Sequence, residues 1–425
     1  MSLYVRDVVF WDRRSGALTP TNLVVDTELR PTDEAPGGEH TVIEGHGNLA
    51  LEGLTCGHHH IYSALARGMP APPRSPRNFA EILELVWWRL DRCLDLEMVR
   101  ASALAAAMDC LRCGVTRVVD HHASPDAVTG SLSTIADAFD SVGLSHVLCY
   151  ELSDRDGPEV AAAGLAETDA YLASGRPGLV GLHASFTVGD ALLRDAVELA
   201  GRHGVGLHLH VAEDPVDQER CLADHGCRVV ERLHGAGVLD QPGTILGHGL
   251  HLSDEERALV RRSSAWVVQN TESNQNNAVG RFSRQGFDPA RLLLGTDGMH
   301  GDMLRSAQAA YLDGQAEGVS PGDVLQTLWN NQHYLESHHG AAARRNDLVL
   351  MNYRPPTPLT ADNLPGHAMY GLDARHVRTV ITDGRVALDD GVITSIDETI
   401  TLDACREQAR RLWSALEQAP WKGQP

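Results

Sequence analysis

The feature that most narrows the fold is an alternation, held from about residue 50 to 340, of short apolar β-branched runs with longer stretches of helical periodicity. LALEGLTC, VTRVVD (115–120), SHVLCYE (145–151), LVGLHAS (179–185), VGLHLHV (205–211), TILGHG (244–249), AWVVQN (265–270) and RLLLGTD (291–297) read as strands. Helical stretches such as ALAAAMDCLRC (103–113), DALLRDAVELAGRHG (190–204) and DEERALVRRS (254–263) separate them. Strand and helix in strict alternation build a parallel sheet, and eight such units are the count of an α/β (β/α)8 barrel.

The flanks read differently. LYVRDVVFW (3–11), TNLVVD (21–26) and HTVIEG (41–46) at one end, and DLVLMNY (347–353), VRTVIT (377–382) and RVALDDGVI (385–393) at the other, are strands too few on either side to close a core. They are expected to meet in one small β-sandwich. Residues 1–48 supply its first half, 343–425 its second half with a C-terminal helix, and 49–342 form the barrel. The excursion from Tyr62 to about Asp95, with MPAPPRSPRNF and then a helix bearing Trp87 and Trp88, is a candidate lid. Adjacent residues on a helix diverge, so at most one tryptophan, taken as Trp88, should roof a planar ligand.

Composition removes several function classes. Lys+Arg 36 against Asp+Glu 57 gives a net charge of −21, which opposes a nonspecific grip on nucleic acid or anionic membrane. The single lysine is Lys422, which excludes the P-loop, Schiff-base and kinase lysines together. No run approaches the roughly 18 apolar residues of a membrane span. Charges at Arg6, Asp7 and Asp12 interrupt any signal-peptide core, so a cytoplasmic enzyme is expected. Its eight cysteines are scattered and expected as free thiols. A homodimer or higher homo-oligomer acting on a small heterocycle and water is the expected assembly.

In such a barrel catalytic groups lie at the carboxyl ends of the strands. Strand one ends in His58-His59-His60, strand two in Asp120-His121-His122, and strand three in Glu151 with Asp154 and Arg155 beyond. Strand four carries His183, strand five His208, His210 and Glu213, strand six His248, strand seven Gln269, Asn270 and Asn274, and strand eight Asp297. Residues i and i+2 of a strand share a side, so His58 and His60 can present two imidazoles to one ion. His210 and Glu213, three apart, let one bind metal while the carboxylate reaches the substrate, and Asp297 closes the sphere. Three neutral imidazoles and one carboxylate leave a divalent ion, Zn2+ or Fe2+, with net positive charge and an open position, where water has its pKa lowered toward roughly 7. By alternation alone, His208 and His210 both face the axis.

GLTCGHHH, LHLHVAED, ILGHGLHLSD and LGTDG resemble the successive barrel motifs of the amidohydrolase superfamily, in its branch of cytosine deaminase, guanine deaminase and the triazine hydrolases. WWRLDRCLD, DHHASP with GSLST, HASFTV and PTPLTADNLPGHAMYG are similar to the SsnA-type aminohydrolases within it. The resemblance runs from about residue 48 to the carboxyl end. It implies His58, His60, His210 and Asp297 as ligands of one metal, Glu213 as proton shuttle and His248 as the group that orients the attacking water. His-x-x-Glu spacing then favours His210 over His208. The implied reaction is attack of metal-bound hydroxide on a cyclic amidine carbon of a purine, pterin, pyrimidine or triazine, with release of ammonia. The same site displacing chloride or a substituted amine, or opening a cyclic amide, is the alternative. The absence of lysine from strand four argues against a carbamate-bridged metal pair.

His183, Glu151, Arg155, Asn274, His121 and Trp88 are the candidates for heterocycle recognition. Gln269 stands where many relatives carry histidine, a departure expected to alter the substrate pocket more than the metal. Cys110 and Cys113 have ligand spacing but end an apolar helix with no partner pair, so both read as packing. His333, His338 and His339 read as a surface helix without function.

Overall fold

The structure, a computed structural model, describes residues 2–340, 342–343 and 346–420. Four N-terminal strands, β1 (Ser2–Trp11), β2 (Leu18–Val25), β3 (Leu29–Thr32) and β4 (His40–Glu52), precede the barrel. The barrel strands are β5 (Leu54–His59), β6 (Val115–His122), β7 (Ser145–Leu152), β8 (Val180–Ala184), β9 (Leu207–Val211), β10 (Ile245–His248), β11 (Trp266–Gln269) and β12 (Leu292–Leu294). Four more, β13 (Leu348–Met351), β14 (Val377–Thr382), β15 (Arg385–Asp389) and β16 (Val392–Ile393), follow.

Strands β5 to β12 pair in chain order, all in parallel, and a bridge between His59 and Asp297 joins the last to the first. The eight-unit barrel is therefore present. The terminal strands do meet, hydrogen-bonded in one mixed sheet of order β16-β15-β14-β13-β4-β1-β2-β3. Strand β4 is longer than its sequence suggests. It runs through His46 and Gly47, both at positive φ, where a shift of register against β1 absorbs the kink. LALEGLTC is consequently two elements: Leu49–Glu52 pairs with β13 in the mixed sheet, and the barrel begins at Leu54. Gly53 makes the change of sheet possible, because a Cβ there would lie 2.2 Å from Thr116 Oγ1. Strand β3 escapes the sequence patterning because it is short and contains Pro31, which an edge strand tolerates.

The outer helices follow their apolar spacing. Leu132, Ile135, Ala136 and Phe139 of the helix Ser131–Val142 recur on one face and are fully buried. The helix expected at 103–113 begins earlier, at Leu96, where Asp95 caps it by accepting from Met98 N at 2.8 Å. Cys110 and Cys113 end it as free thiols. The helix Pro321–His338 leaves His333 and His338 exposed, as expected, and turns its other face inward. Trp266 Nε1 donates to His338 Nε2 at 3.2 Å, Tyr334 packs on His338, and His339, against expectation, is buried 3.3 Å from the Tyr334 hydroxyl, because this helix packs on β5 and β12. Barrel and mixed sheet are tied by a buried ion pair, Arg117 Nη2 to Asp347 Oδ2 at 3.3 Å, with Arg117 also donating to Gly53 O. No helix among the described residues is long and apolar enough to cross a membrane.

Candidate active site

The strand ends bring His58, His60, His210 and Asp297 together at the carboxyl mouth of the barrel. Asp297 Oδ1 lies 3.1 Å from His58 Nε2 and 3.0 Å from His60 Nε2, and His60 Nε2 lies 3.1 Å from His210 Nε2. Ligands of one tetrahedral ion at bonds of about 2.0–2.1 Å stand about 3.3 Å from each other, close to these separations. Each imidazole has its other nitrogen engaged away from this centre. His60 Nδ1 donates to His121 O at 2.6 Å and His210 Nδ1 to His183 O at 3.0 Å. His58 Nδ1 meets His208 Nε2 at 2.9 Å, and His208 Nδ1 lies 3.8 Å from Cys149 Sγ. Donation along that relay leaves the Nε2 lone pairs of all three ligand-type rings turned inward, the tautomer a metal requires. His208 thus shares a side with His210 but sits behind His58.

Two overlapping groups have ligand atoms within 4.8 Å of one another: His58, His210, His248 and Asp297, and His60, His121, Glu151 and His210. The second is the poorer cage, because His121 Nε2 is directed at the carbonyls of Leu182 and His208, at 3.2 and 3.1 Å, and Glu151 faces Arg155. In the first, His248 Nε2 is buried without a hydrogen-bond partner. The residues present fit a divalent ion beside Asp297. The electrostatics agree: burial pushes His58 down to about 3 and His210 well below the usual range, and burial also opposes a charge on His60, yet its contact with Asp297 lifts that ring to about 9. One positive charge is favoured next to the carboxylate. Asp297 itself is pushed up by burial, but the adjoining His58 and His60 imidazoles outweigh this and hold it well below the carboxylate range. His248 and Asp297 both adopt positive φ, 67° and 54°, a backbone conformation uncommon outside glycine and characteristic of functional sites.

Glu213 follows β9, three residues after His210, with His248 Nε2 3.5 Å from its Oε2. Burial raises this carboxyl to about 7, against the pull of nearby His248 and with Asp297 adding to the rise. The short helix Thr271–Asn276 serves both carboxylates. Ser273 donates to Asp297 Oδ2, and Asn277 donates to Glu213 Oε1 at 3.3 Å. Sequence reading missed both, although Ser273 and Asn277 are four apart and share a helical face. It selected Asn274 for the substrate instead. Asn274 does not reach the cavity; the helical turn points it back, where its Oδ1 accepts from His248 Nδ1 at 2.7 Å. Gln269 is likewise buried away from the cavity, donating to Thr271 Oγ1 at 2.7 Å, so its departure from the relatives does not act on the pocket wall.

Above the centre opens a cavity of about 810 Å³, counting the part open to solvent. His60, His210, Glu213 and Asp297 form its floor. Glu151, Arg155, His183 and Trp88 line it as expected, with His183 Nδ1 held by Thr187 Oγ1 at 2.6 Å. His121 does not: it is fully buried beneath, 3.2 Å from Glu151 Oε2. Both tryptophans border the cavity, together with Phe79 and Leu83. The lid helix explains this, because it passes through a π-helical turn at Leu83–Trp87, whose wider winding narrows the angle between successive side chains.

Comparison with known proteins agrees with this geometry. The model of the Amidohydrolase family matches residues 50–386. A 5'-deoxyadenosine deaminase of Methanothermobacter thermautotrophicus is 28% identical over 94% of this chain and 95% of its own length. A 5-methylthioadenosine/S-adenosylhomocysteine deaminase of Desulforudis audaxviator is 28% identical over 90% and 91%. Among solved structures, an adenosine deaminase from Xanthomonas campestris with bound zinc superposes with a TM-score of 0.80 at 19% identity, covering 97% of this chain and 98% of that one. Atrazine chlorohydrolase from Arthrobacter aurescens, complexed with zinc, superposes at 0.79 and 16%, covering 96% and 100%.

Proposed function

Because the chain belongs to the amidohydrolase family, we propose that it is a metal-dependent hydrolytic deaminase that replaces an exocyclic amine on a cyclic amidine carbon with oxygen and releases ammonia. The observation that carries this reading is the set of three imidazoles whose Nδ1 atoms are engaged outward and whose Nε2 atoms gather about Asp297, directly beside a protonatable Glu213. His58, His60, His210 and Asp297 would hold one divalent ion. Such an ion supplies Lewis acidity and lowers the pKa of coordinated water toward roughly 7.

The remaining work falls to the chain's own groups. Asp297, kept ionised and oriented by Ser273, accepts a proton from the attacking water. His248, whose Nδ1 is held by Asn274, presents Nε2 to the same water and orients it. Glu213 has an affinity suited to both halves of a proton transfer: it gives its proton to the ring nitrogen, then takes the proton of the newly added hydroxyl and passes it to the departing amine, and the proton that Asp297 took from the water restores it. His183, Glu151 and Arg155 supply polar edges for the heterocycle, and Trp87, Trp88 and Phe79 cover its face. The names of the curated relatives put adenine nucleosides first among substrates to try, and the zinc in the neighbouring structures favours zinc over iron. The free thiols suit a reducing compartment such as the cytoplasm. Metal analysis of the purified protein, then ammonia detection against purines, pterins, pyrimidines and triazines, tests the reading. Turnover that releases chloride or a substituted amine but no ammonia would replace it with the alternative leaving group.

A further inference from the structure

The charge lining the cavity is unbalanced in a way that the chemistry of deamination does not require. Among the described residues, five carboxyl groups border it, those of Glu151, Glu213, Asp214, Asp217 and Asp297, of which burial brings Glu213 and Asp217 up to about 7, and Arg155 is the one lysine or arginine. That arginine is not free for an anionic ligand. Its Nη2 contacts Asp91 and lies 3.6 Å from Glu151 Oε1, its Nε lies 3.0 Å from Asp156 Oδ2, and its guanidinium carbon sits 5.3 Å from the centre of the Trp88 ring. Three carboxylates thus surround one cation. Two of the lining carboxylates are also held in place by backbone donors: Asp217 accepts from Ala212 N and Phe186 N at 2.9 and 3.1 Å, and Asp214 from Val216 N at 3.0 Å. They cannot swing aside when a like charge approaches. Only the metal beneath offers positive charge, and the reacting ring must occupy that end.

We propose that the cavity admits neutral or cationic heterocycles and excludes those bearing a phosphate or carboxylate on the arm that points away from the metal. The inference rests on the deaminase reading and narrows it: the substrates are bases and nucleosides, not nucleotides or ring carboxylates. Like charge placed against a desolvated anionic wall costs enough to lower affinity roughly 100-fold.

The test is equilibrium binding of matched pairs, adenosine with its 5'-monophosphate and pterin with pterin-6-carboxylate, to the zinc-loaded Glu213→Gln protein, in which turnover is slowed. The neutral member should bind about 100-fold more tightly, and the gap should shrink at high salt as the field is screened. Asp156→Asn, which removes one of the carboxylates on Arg155 from outside the cavity, should improve binding of the anionic member several-fold and leave the neutral one unchanged. Anionic and neutral members binding within threefold of each other would overturn the proposal. If no member of either pair binds, the choice of ring is wrong, and a ligand-free measurement still decides the charge selection. The fluorescence of Trp87 and Trp88, isolated by difference from the Trp87→Phe/Trp88→Phe protein, should be quenched by neutral acrylamide and resist iodide. Equal quenching by both would refute the anionic wall without touching the deaminase reading.

Discussion

Glu213 and Asp297 are both buried carboxylates at strand ends of one site, and their surroundings give them opposite proton affinities. Burial leaves Glu213 near 7, whereas two imidazole contacts keep Asp297 ionised. Substituting each should therefore produce different failures. Glu213→Gln should keep its metal and slow turnover roughly 100-fold or more, since a proton carrier is lost. Asp297→Asn should reduce turnover to background and weaken metal retention, because one change removes a ligand charge and the water's proton acceptor. Metal analysis beside steady-state rates separates the two, and equal metal loss in both variants would mean that ligand and shuttle have been confused. The pair His208 and His210 divides in the same way. His210→Ala should lose metal, whereas His208→Ala, which removes only the partner of His58 Nδ1, should retain it and lose roughly 10 to 100-fold in activity. At this scale the sequence was most legible where chemistry needs fixed spacing, as in His58-x-His60 and His210-x-x-Glu213. It was silent on depth along the barrel axis, which is why His121 looked available to substrate although it lies under Glu151.

The lid and the helix after β11 show why elements were harder to read than residues. A regular helix would turn Trp87 and Trp88 to different sides, but the π-helical turn at Leu83–Trp87 brings both to the cavity, and no residue pattern announces such a turn. What keeps the lid in place is also remote in sequence. Arg89 donates to Leu416 O and Ala419 O at 2.6 and 3.0 Å, and Trp413 Nε1 donates to Leu65 O at 2.9 Å, so the C-terminal helix Glu398–Gln418 braces the segment that carries the aromatic roof. Arg89→Ala should raise KM with little change in kcat or metal content, since it loosens the cover without entering the cavity. A fall in kcat at constant KM would instead place the lid in the chemical step. The helix Thr271–Asn276 lies where the sequence reads only the end of a strand, so Asn274 is placed at that strand end with no account of the direction a helical turn gives it. Ser273 and Asn277 face the carboxylates, and Asn274 faces His248.

Across the whole molecule, the barrel was legible because eight strand signals recur at similar intervals, and the mixed sheet was legible only as two unpaired sets of strands at opposite ends of the chain. Their junction depends on contacts between residues more than 200 positions apart, such as Arg117 with Asp347, which no local pattern reveals. Removing one member strands a buried charge, so Asp347→Ala should destabilise the fold by about 3–5 kcal/mol in urea unfolding. Arg117→Met combined with Asp347→Leu should recover much of that loss, and a double variant no more stable than the single one would show that shape, not charge, governs the junction. The central claim, that a single metal held by His58, His60, His210 and Asp297 supports hydrolytic deamination, is tested most directly by measuring ammonia release against bound metal per chain during chelation and stepwise reloading with zinc. Activity should vanish with the metal and return in proportion to it, reaching its maximum at one ion per chain. Ammonia release that persists in metal-free protein, or that requires two ions per chain, would contradict it.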